Sequence, residues 1–360
     1  MPCMRLKEIG EFELIERMAR IFQQDGAAVA NAAAAFSRLV VGIGDDAAVW
    51  RESSSQYTMS TTDAMVEGVH FTCATTDWYD LGWKAMASNI SDIAGMGGIP
   101  RYALVVLGAS GELEVTNVLD LCRGMADLAG RFGAAIIGGD TISSPLTMVS
   151  ITVLGEAVRG QDRGGAPPIL RRSAACPGDW IAVTGRLGSS AGGLELLLKG
   201  SGRVDAQFAP LAEAHRRPVP RVEEGQLLVS AGVRCGMDLS DGLIGDLTRI
   251  CRASGVSALV EVDKLPVDPL LREAFGERAV ELALSGGEDY ELLCAAPAEI
   301  LSEAQLLLHR AGVDLTVVGT IVDRDLERAP VMLCEADGQL RMPTRKGWEH
   351  FTSNGDSARD

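Results

Sequence analysis

The stretch from residue 42 to residue 71 constrains the chain most. It reads Gly42-Ile43-Gly44-Asp45-Asp46-Ala47-Ala48-Val49, a short turn, and then Met59-Ser60-Thr61-Thr62-Asp63-Ala64-Met65-Val66-Glu67-Gly68-Val69-His70-Phe71. Two apolar strand-like runs are tied to acids: Val49-Trp50 follows Asp45-Asp46, and Tyr57-Thr58-Met59 runs into Thr61, Thr62 and Asp63. Carboxylates and hydroxyls at strand ends are hard oxygen ligands, suited to magnesium rather than zinc. Gly42 to Ala47 also fits G-x-G-x-x-A, a dinucleotide fingerprint that needs bare backbone N–H groups and a following helix. Here a strand-like run follows, and two aspartates would repel phosphate without a cation. The metal reading therefore outranks the dinucleotide one. A plain turn is the remaining alternative for an Asp-Asp pair, and further acids of the same kind downstream weigh against it.

The pattern predicts an amphipathic helix over Glu11 to Gln24, with Phe12, Ile15, Met18, Ala19 and Phe22 near one face. A helix over Asp77 to Met96 carries Lys84 and Asn89-Ile90-Ser91-Asp92-Ile93-Ala94-Gly95, and Gly97-Gly98 breaks it. Tyr102 to Leu107 reads as a strand, Val115 to Arg131 as a helix, and Ala134 to Ile137 as a buried strand delivering Gly138-Gly139-Asp140-Thr141. Leu146 to Val158 alternates as a strand and closes a first domain, residues 1–160.

Residues 159 to 179, with Gly164-Gly165, Pro167-Pro168 and Pro177-Gly178, read as a linker holding Arg171-Arg172. A second domain, residues 170–351, opens with strand Trp180 to Thr184 and helix Ala191 to Lys199. Asp238-Leu239-Ser240-Asp241-Gly242 caps a helix running to about Arg252. Strand Ala258 to Val262, helices around 268 to 284, Gly286-Gly287-Glu288-Asp289 leading into a strand, helix Ala298 to Ala311 and strand Leu315 to Val322 follow. The Ser-Asp and Gly-Gly-acid signals recur in the same order in both halves, which favours two related α/β domains. Residues 352–360 are polar and read as a disordered tail.

Seven acids stand at element ends: Asp45, Asp46, Asp63, Asp92, Asp140, Asp238 and Asp241. Crowded into one cleft they require neutralising cations, and several magnesium ions with a nucleotide triphosphate meet that need. Phosphoryl transfer asks mainly for positioning and charge neutralisation, so the lack of an obvious nucleophile is no obstacle. The four histidines and the absence of G-x-S-x-G give a hydrolase triad little support, and no P-loop or protein-kinase motif set occurs. The net charge of -16 argues against nucleic-acid binding. Eight cysteines sit singly without zinc spacing, most in apolar runs that read as core. A charged N-terminus and no apolar run near ~20 residues imply neither secretion nor a membrane span, hence a reducing, cytoplasmic setting.

Six motifs in register carry a resemblance: Gly42-Ile43-Gly44-Asp45-Asp46, Ser60-Thr61-Thr62-Asp63 with Glu67-Gly68-Val69-His70-Phe71, Asn89 to Gly97, Gly138-Gly139-Asp140-Thr141, Asp238 to Leu243, and Ser285-Gly286-Gly287-Glu288-Asp289-Tyr290-Glu291-Leu292. Over residues 8 to 351 the chain resembles the thiamine-monophosphate kinase family, grouped with aminoimidazole ribonucleotide synthetase and selenophosphate synthetase. The resemblance implies ATP-dependent, in-line phosphorylation of thiamine monophosphate to thiamine diphosphate. It also implies a two-domain synthetase-like α/β (α+β) fold, with an N-terminal mixed sheet that dimerises and a C-terminal α/β domain completing the cleft. Position by position it implies magnesium ligands at Asp46, Thr61, Thr62, Asp63, Asp92, Asp140, Asp238 and Asp241. Nucleotide contacts fall on Gly139, Asp140, Arg172 and Ser240, and thiamine-monophosphate contacts on His70, Glu288 and Trp348.

Each role has a plainer rival. His70 can be a structural histidine, Trp348 a plug over the core, and Glu288 the cap of a strand turn. Arg171 rather than Arg172 can reach the phosphates, Lys84 can lie on a solvated helix face, and Asp45 and Asp246 can support the ligands from behind. Two departures from the family stand out: the long Asp25 to Phe36 segment, and Gly95 where alanine is common, neither expected to touch a ligand. A selenophosphate synthetase is disfavoured because Cys3 lacks a glycine-rich loop with a reactive Cys and Lys. Another ATP-using relative such as a hydrogenase-maturation protein, and a non-catalytic metal and nucleotide sensor, remain as rivals.

Overall fold

The computed structural model describes residues 6–25, 36–53, 56–157, 168–325, 327, 329–345 and 347–351. The proposed tail, most of the Asp25 to Phe36 segment, Cys3 and part of the linker lie outside the described residues.

The N-terminal domain is a six-stranded mixed sheet. Its strands are β1 (Leu39–Val41), β2 (Ala48–Arg51), β3 (Tyr57–Val66), β4 (Gly98–Ala109), β5 (Ala135–Ser143) and β6 (Met148–Ala157), ordered β1-β2-β3-β6-β4-β5. All neighbours are antiparallel except β4 and β5. The turn at Gly42 to Asp46 does run into a strand, β2, and not into a helix, which removes the condition the dinucleotide fingerprint needs.

Among the described residues three α-helices belong to this half: α1 (Gly10–Ala19), α2 (Trp78–Gly95) and α3 (Val115–Arg131). The expected N-terminal helix ends earlier, and the chain continues as a π-type turn over Arg20–Asp25. Its apolar stripe is not buried: Ile15, Met18 and Phe22 are exposed. By contrast α2 is buried almost all round. The Asp77 side chain caps its start by accepting from the Asp80 N–H at 2.8 Å, and Gly97, with φ of 71°, ends it. It packs against α3 through Gly82 and Gly124, where a Cβ on either would overlap the other helix's backbone.

The C-terminal domain is a seven-stranded mixed sheet of β7 (Trp180–Thr184), β8 (Cys235–Asp238), β9 (Ser257–Glu261), β10 (Leu292–Ala296), β11 (Leu315–Val322), β12 (Val331–Cys334) and β13 (Leu340–Arg341). The order is β13-β12-β9-β11-β7-β10-β8, with β9 and β12 the parallel pair. Its helices are α4 (Ser189–Lys199), α5 (Ala209–Arg216), α6 (Val222–Ala231), α7 (Leu243–Ser254), α8 (Pro269–Phe275), α9 (Arg278–Ser285) and α10 (Ala298–Arg310). Helices α5 and α6 and strand β8 are not marked in the sequence pattern.

One core cluster joins α2 and the N-terminal sheet to α6, α10 and one face of the C-terminal sheet, while a second fills the other face. The helix α2 is therefore the shared wall of the two domains, and it places Ser88, Ser91 and Asp92 beside C-terminal residues.

Two expectations fail on burial. The strand β5 is exposed along all nine residues, because it is the outermost strand and, among the described residues, only β4 pairs with it. Of the described cysteines only Cys235, Cys251 and Cys294 are buried; Cys73, Cys122 and Cys176 are exposed.

Candidate active site

Strand β3, helix α2 and the end of β8 converge at the domain boundary. Asp46, Asp92 and Asp238 meet there, each offering an oxygen within 4.8 Å of the others. Asp238 accepts from the Ser91 hydroxyl at 2.6 Å, and Asp92 accepts from the Thr61 hydroxyl. Asp46 Oδ2 is buried with no hydrogen-bond partner, the single such side-chain atom among the described residues. Burial first, and the neighbouring aspartates next, push the Asp92 and Asp238 carboxyls well above the usual carboxylate range. An orphaned buried carboxylate oxygen beside two protonation-prone carboxyls is a donor set that fits a hard divalent cation.

Gly95 contributes directly, against expectation. A Cβ there would lie 2.6 Å from Asp46 Oδ2 and 2.7 Å from the Asp238 amide nitrogen, so the missing side chain is what lets the two acids close on α2.

Arg172 lies on Asp46 and not in the open cleft. Its Nε donates to Asp46 Oδ1 at 3.0 Å and its Nη2 contacts the same oxygen, while its amide reaches Asp45 at 3.3 Å. Asp45 thus supports the group from behind, and its carboxyl is raised to about 7 by burial and by Asp46 against the pull of Arg172. Asp246 does the same for the second loop: its Oδ2 accepts from the Ser240 and Asp241 amides at 3.1 Å each, and Arg249 pairs with both Asp246 and Asp241.

Beside the acids opens a cavity of about 540 Å³ lined by Thr62, Asp63, His70, Ser240, Asp241, Glu288, Trp348, His215, His350 and Glu11. Seven of the residues singled out in the sequence share this one space. Asp63 sits on the α2 side of β3, its carboxyl raised by burial and by Asp241. Strand alternation sends Thr61 to the same face and Thr62 to the other, where its hydroxyl donates to the Ile151 carbonyl at 3.0 Å.

The Val66 amide donates to His70 Nδ1 at 3.1 Å, so the neutral ring carries its proton on Nε2. Burial, then His350 and Lys84, lower its pKa to about 4. Trp348 is half-buried, its amide donates to the Asp241 carbonyl at 3.2 Å, and its ring meets that of His350 edge-on at 6.0 Å. It faces the cavity and does not plug the core.

Glu288 holds φ of 66°, a left-handed conformation uncommon for a residue with a side chain. Gly287 has no room for a Cβ against the Ser240 carbonyl, and the Glu288 amide donates to that carbonyl at 2.8 Å. The two loops are thereby zipped together by backbone.

Lys84, expected on a solvated face, is fully buried and donates to Glu288 Oε2 at 2.7 Å. The signal was present: a helix whose neighbours are apolar or small on every side has no solvated face to offer. His215, Glu11 and His350 were not found from sequence, since none falls in a motif.

Gly139 and Asp140 are the residues the structure does not bring in. Gly139 lies level with Asp63 but three strands away across β6 and β4, about 14 Å at the usual interstrand spacing. A Cβ there would overlap the Val105 carbonyl, and the exposed Asp140 accepts only from the Thr141 amide, at 2.9 Å.

Models of the AIR synthase related proteins match the chain twice, the N-terminal domain over residues 44–157 and the C-terminal domain over 176–331. The thiamine-monophosphate kinase of Bacillus subtilis (strain 168) is 36% identical over 88% of this chain and 94% of its own length. That of Salmonella typhimurium is 36% identical over 96% of this chain and 99% of its own. In three dimensions the chain is similar to the solved structure of AaThiL complexed with AMPPCP and TMP. That similarity has a TM-score of 0.79 at 31% identity, covering 97% of this chain and 100% of the other.

Proposed function

This chain belongs to the thiamine-monophosphate kinase family, and from that premise we propose that it transfers the γ-phosphoryl group of ATP to thiamine monophosphate, giving thiamine diphosphate and ADP. The observation that carries the reading is the juxtaposition of a cation-demanding carboxylate trio with a cavity holding a neutral histidine donor, a carboxylate and an indole. Magnesium ions would be held by Asp46, Asp92 and Asp238, with Asp63, Asp241 and the Thr61 hydroxyl beside them and the Thr62 hydroxyl turned to the other face of β3, and would neutralise phosphate charge and polarise the transferring group.

The chain's own residues divide the remaining work. His70 Nε2–H donates to the phosphate of thiamine monophosphate without itself titrating. Glu288 accepts from the aminopyrimidine amine, and the Trp348 face stacks on the cationic substrate. Ser240 and Arg172 serve the ATP phosphates, Arg172 as a permanently charged donor already at the acid trio. The acceptor phosphate is an anion at neutral pH, so transfer needs no strong general base.

Gly139 and Asp140 serve as nucleotide and metal contacts in a homodimer. They lie on an edge strand, paired on one side only among the described residues, whose Ile136, Ile137 and Ile142 are exposed, with Tyr102 and Leu104 exposed on the adjoining β4. An apolar edge of this kind requires cover, and a second copy supplies it while carrying Asp140 toward a neighbouring site. We place the enzyme in the cytoplasm, in keeping with its nucleotide substrate; no helix among the described residues is long and apolar enough to cross a membrane.

The test is an acceptor panel: purified protein, ATP and magnesium with thiamine monophosphate, thiamine, or no acceptor. Thiamine diphosphate formed only from the monophosphate is expected. ATP consumption independent of acceptor would remove the substrate assignment and favour another ATP-using relative.

A further inference from the structure

Beneath the cavity floor lies a charge pair whose cation the phosphoryl-transfer reading does not use. Lys84 enters from α2 of the N-terminal domain, is fully buried, and donates to Glu288 Oε2 at 2.7 Å. On its other side it lies 3.3 Å from His215 Nε2, and His215 Nδ1 lies 3.1 Å from the Ser190 hydroxyl. Burial, with Lys84 and Arg216 beside it, holds His215 neutral. An ammonium cannot accept, so Nε2 accepts from Lys84 and the ring proton sits on Nδ1, facing Ser190 and also Glu288 Oε2 at 3.4 Å. Lys84 is thus the donor on that carboxylate oxygen, and the His215 ring packs beside the pair with its Nδ1 on Ser190.

That oxygen belongs to a residue whose backbone is itself constrained, since Glu288 takes a left-handed conformation between Gly287 and Asp289, whose carboxylate accepts from the Gly188 and Ser190 amides. Backbone strain of this kind persists where the surroundings over-determine it. One carboxylate oxygen is fixed from below, and the 27% exposure of the side chain lies on the cavity side. The Lys84 cation comes from one domain and the Glu288 carboxylate from the other, so the pair also fastens the cavity floor across the domain boundary.

We propose that Lys84, seated against His215, is the positioning residue for substrate recognition: it holds Glu288 Oε2 from below and keeps the side chain aimed into the cavity, and so sets affinity for the thiamine moiety and not for ATP. This rests on the reading of Glu288 as the contact to thiamine monophosphate. A buried ammonium left without its carboxylate, or the reverse, is strongly disfavoured, which is why the pair is written as one device.

The experiment is a double-mutant cycle on the full-length protein, reading KM for thiamine monophosphate, KM for ATP and the thermal midpoint. Glu288→Gln is expected to raise KM for thiamine monophosphate about tenfold, and Lys84→Met to do the same, with KM for ATP changed less than about twofold. In Lys84→Met/Glu288→Gln the two effects are expected not to multiply, because Lys84 acts only through Glu288. The double variant is also expected to recover the thermal midpoint lost in Lys84→Met. Where Lys84→Met does not fold, Lys84→Gln, a neutral donor, replaces it in the cycle. Lys84→Met with an unchanged KM for thiamine monophosphate, equal losses for both substrates, or fully multiplicative effects would each overturn the proposal. An unchanged KM in Glu288→Gln would instead overturn the assignment of Glu288 on which it rests.

Discussion

The two halves of the site are built on opposite electrostatic principles. The trio of Asp46, Asp92 and Asp238 gathers like charges, leaves one oxygen without a partner, and has the Arg172 guanidinium as its nearest compensation. The adjoining cavity is matched internally: Lys84 neutralises Glu288, the Val66 amide fixes His70, and Asp241 is held by Arg249. On the proposed reading the first region would be completed by added cations, whereas the second is paired before a ligand arrives, so that catalytic power would reside in the unsatisfied region and substrate choice in the satisfied one.

The sharpest way to break this contrast is to alter one side chain in each region. Asp92→Asn is expected to lower turnover by about 10³-fold while the protein stays folded, because a cation-binding carboxylate is worth several kcal/mol to the transition state. Retention of near-normal turnover would remove Asp92 from the trio's function. Trp348→Ala, in the matched region, is expected to raise KM for thiamine monophosphate about tenfold with little change for ATP; equal losses for the two substrates would restore the plug reading.

The contrast also predicts a response to pH in the acid trio and none in the matched cavity. Burial and mutual repulsion raise the carboxyls of Asp92 and Asp238, and bring Asp45 from 3.8 to about 7. A raised carboxyl keeps its proton in the folded protein after the unfolded chain has lost it. Its stabilising contribution is thus fully present below the unfolded value and is lost as pH rises toward the folded one. Chelator-treated protein is expected to lose a few °C of thermal midpoint between about pH 5 and pH 8, and magnesium to restore more at pH 8 than at pH 5, by linkage to the ionised form. A midpoint that rises with pH in chelator would contradict this.

His70 supplies the smallest effect. Its pKa of about 4 leaves it neutral across the working range, so KM for thiamine monophosphate is expected to show no inflection near pH 6.5. An inflection there would mean that the ring titrates in the open cavity.

Much of this was legible in the sequence because the motifs sit at strand and helix ends, where spacing fixes which side chains share a cleft. Asp46, Asp63, Asp92, Asp238 and Asp241 were found that way, as were the helix Val115–Arg131 and the strands Trp180–Thr184 and Leu315–Val322. What escaped depends on tertiary context. Lys84 reads as solvated until its helix is seen to be a wall between two domains. Gly95 reads as a spectator until Asp46 and Asp238 close against it. The run Ala134 to Ile137 reads as a buried strand because edge and centre strands carry the same apolar signal, and only the sheet order distinguishes them.

The most direct test of the central claim is a single-turnover reaction with γ-labelled ATP and thiamine monophosphate, run with magnesium and again with chelator. The account predicts label in thiamine diphosphate within one turnover, only when magnesium is present, and none held on the protein. Label appearing first on the protein, in inorganic phosphate alone, or equally with chelator would contradict direct transfer at a cation-completed acid cluster.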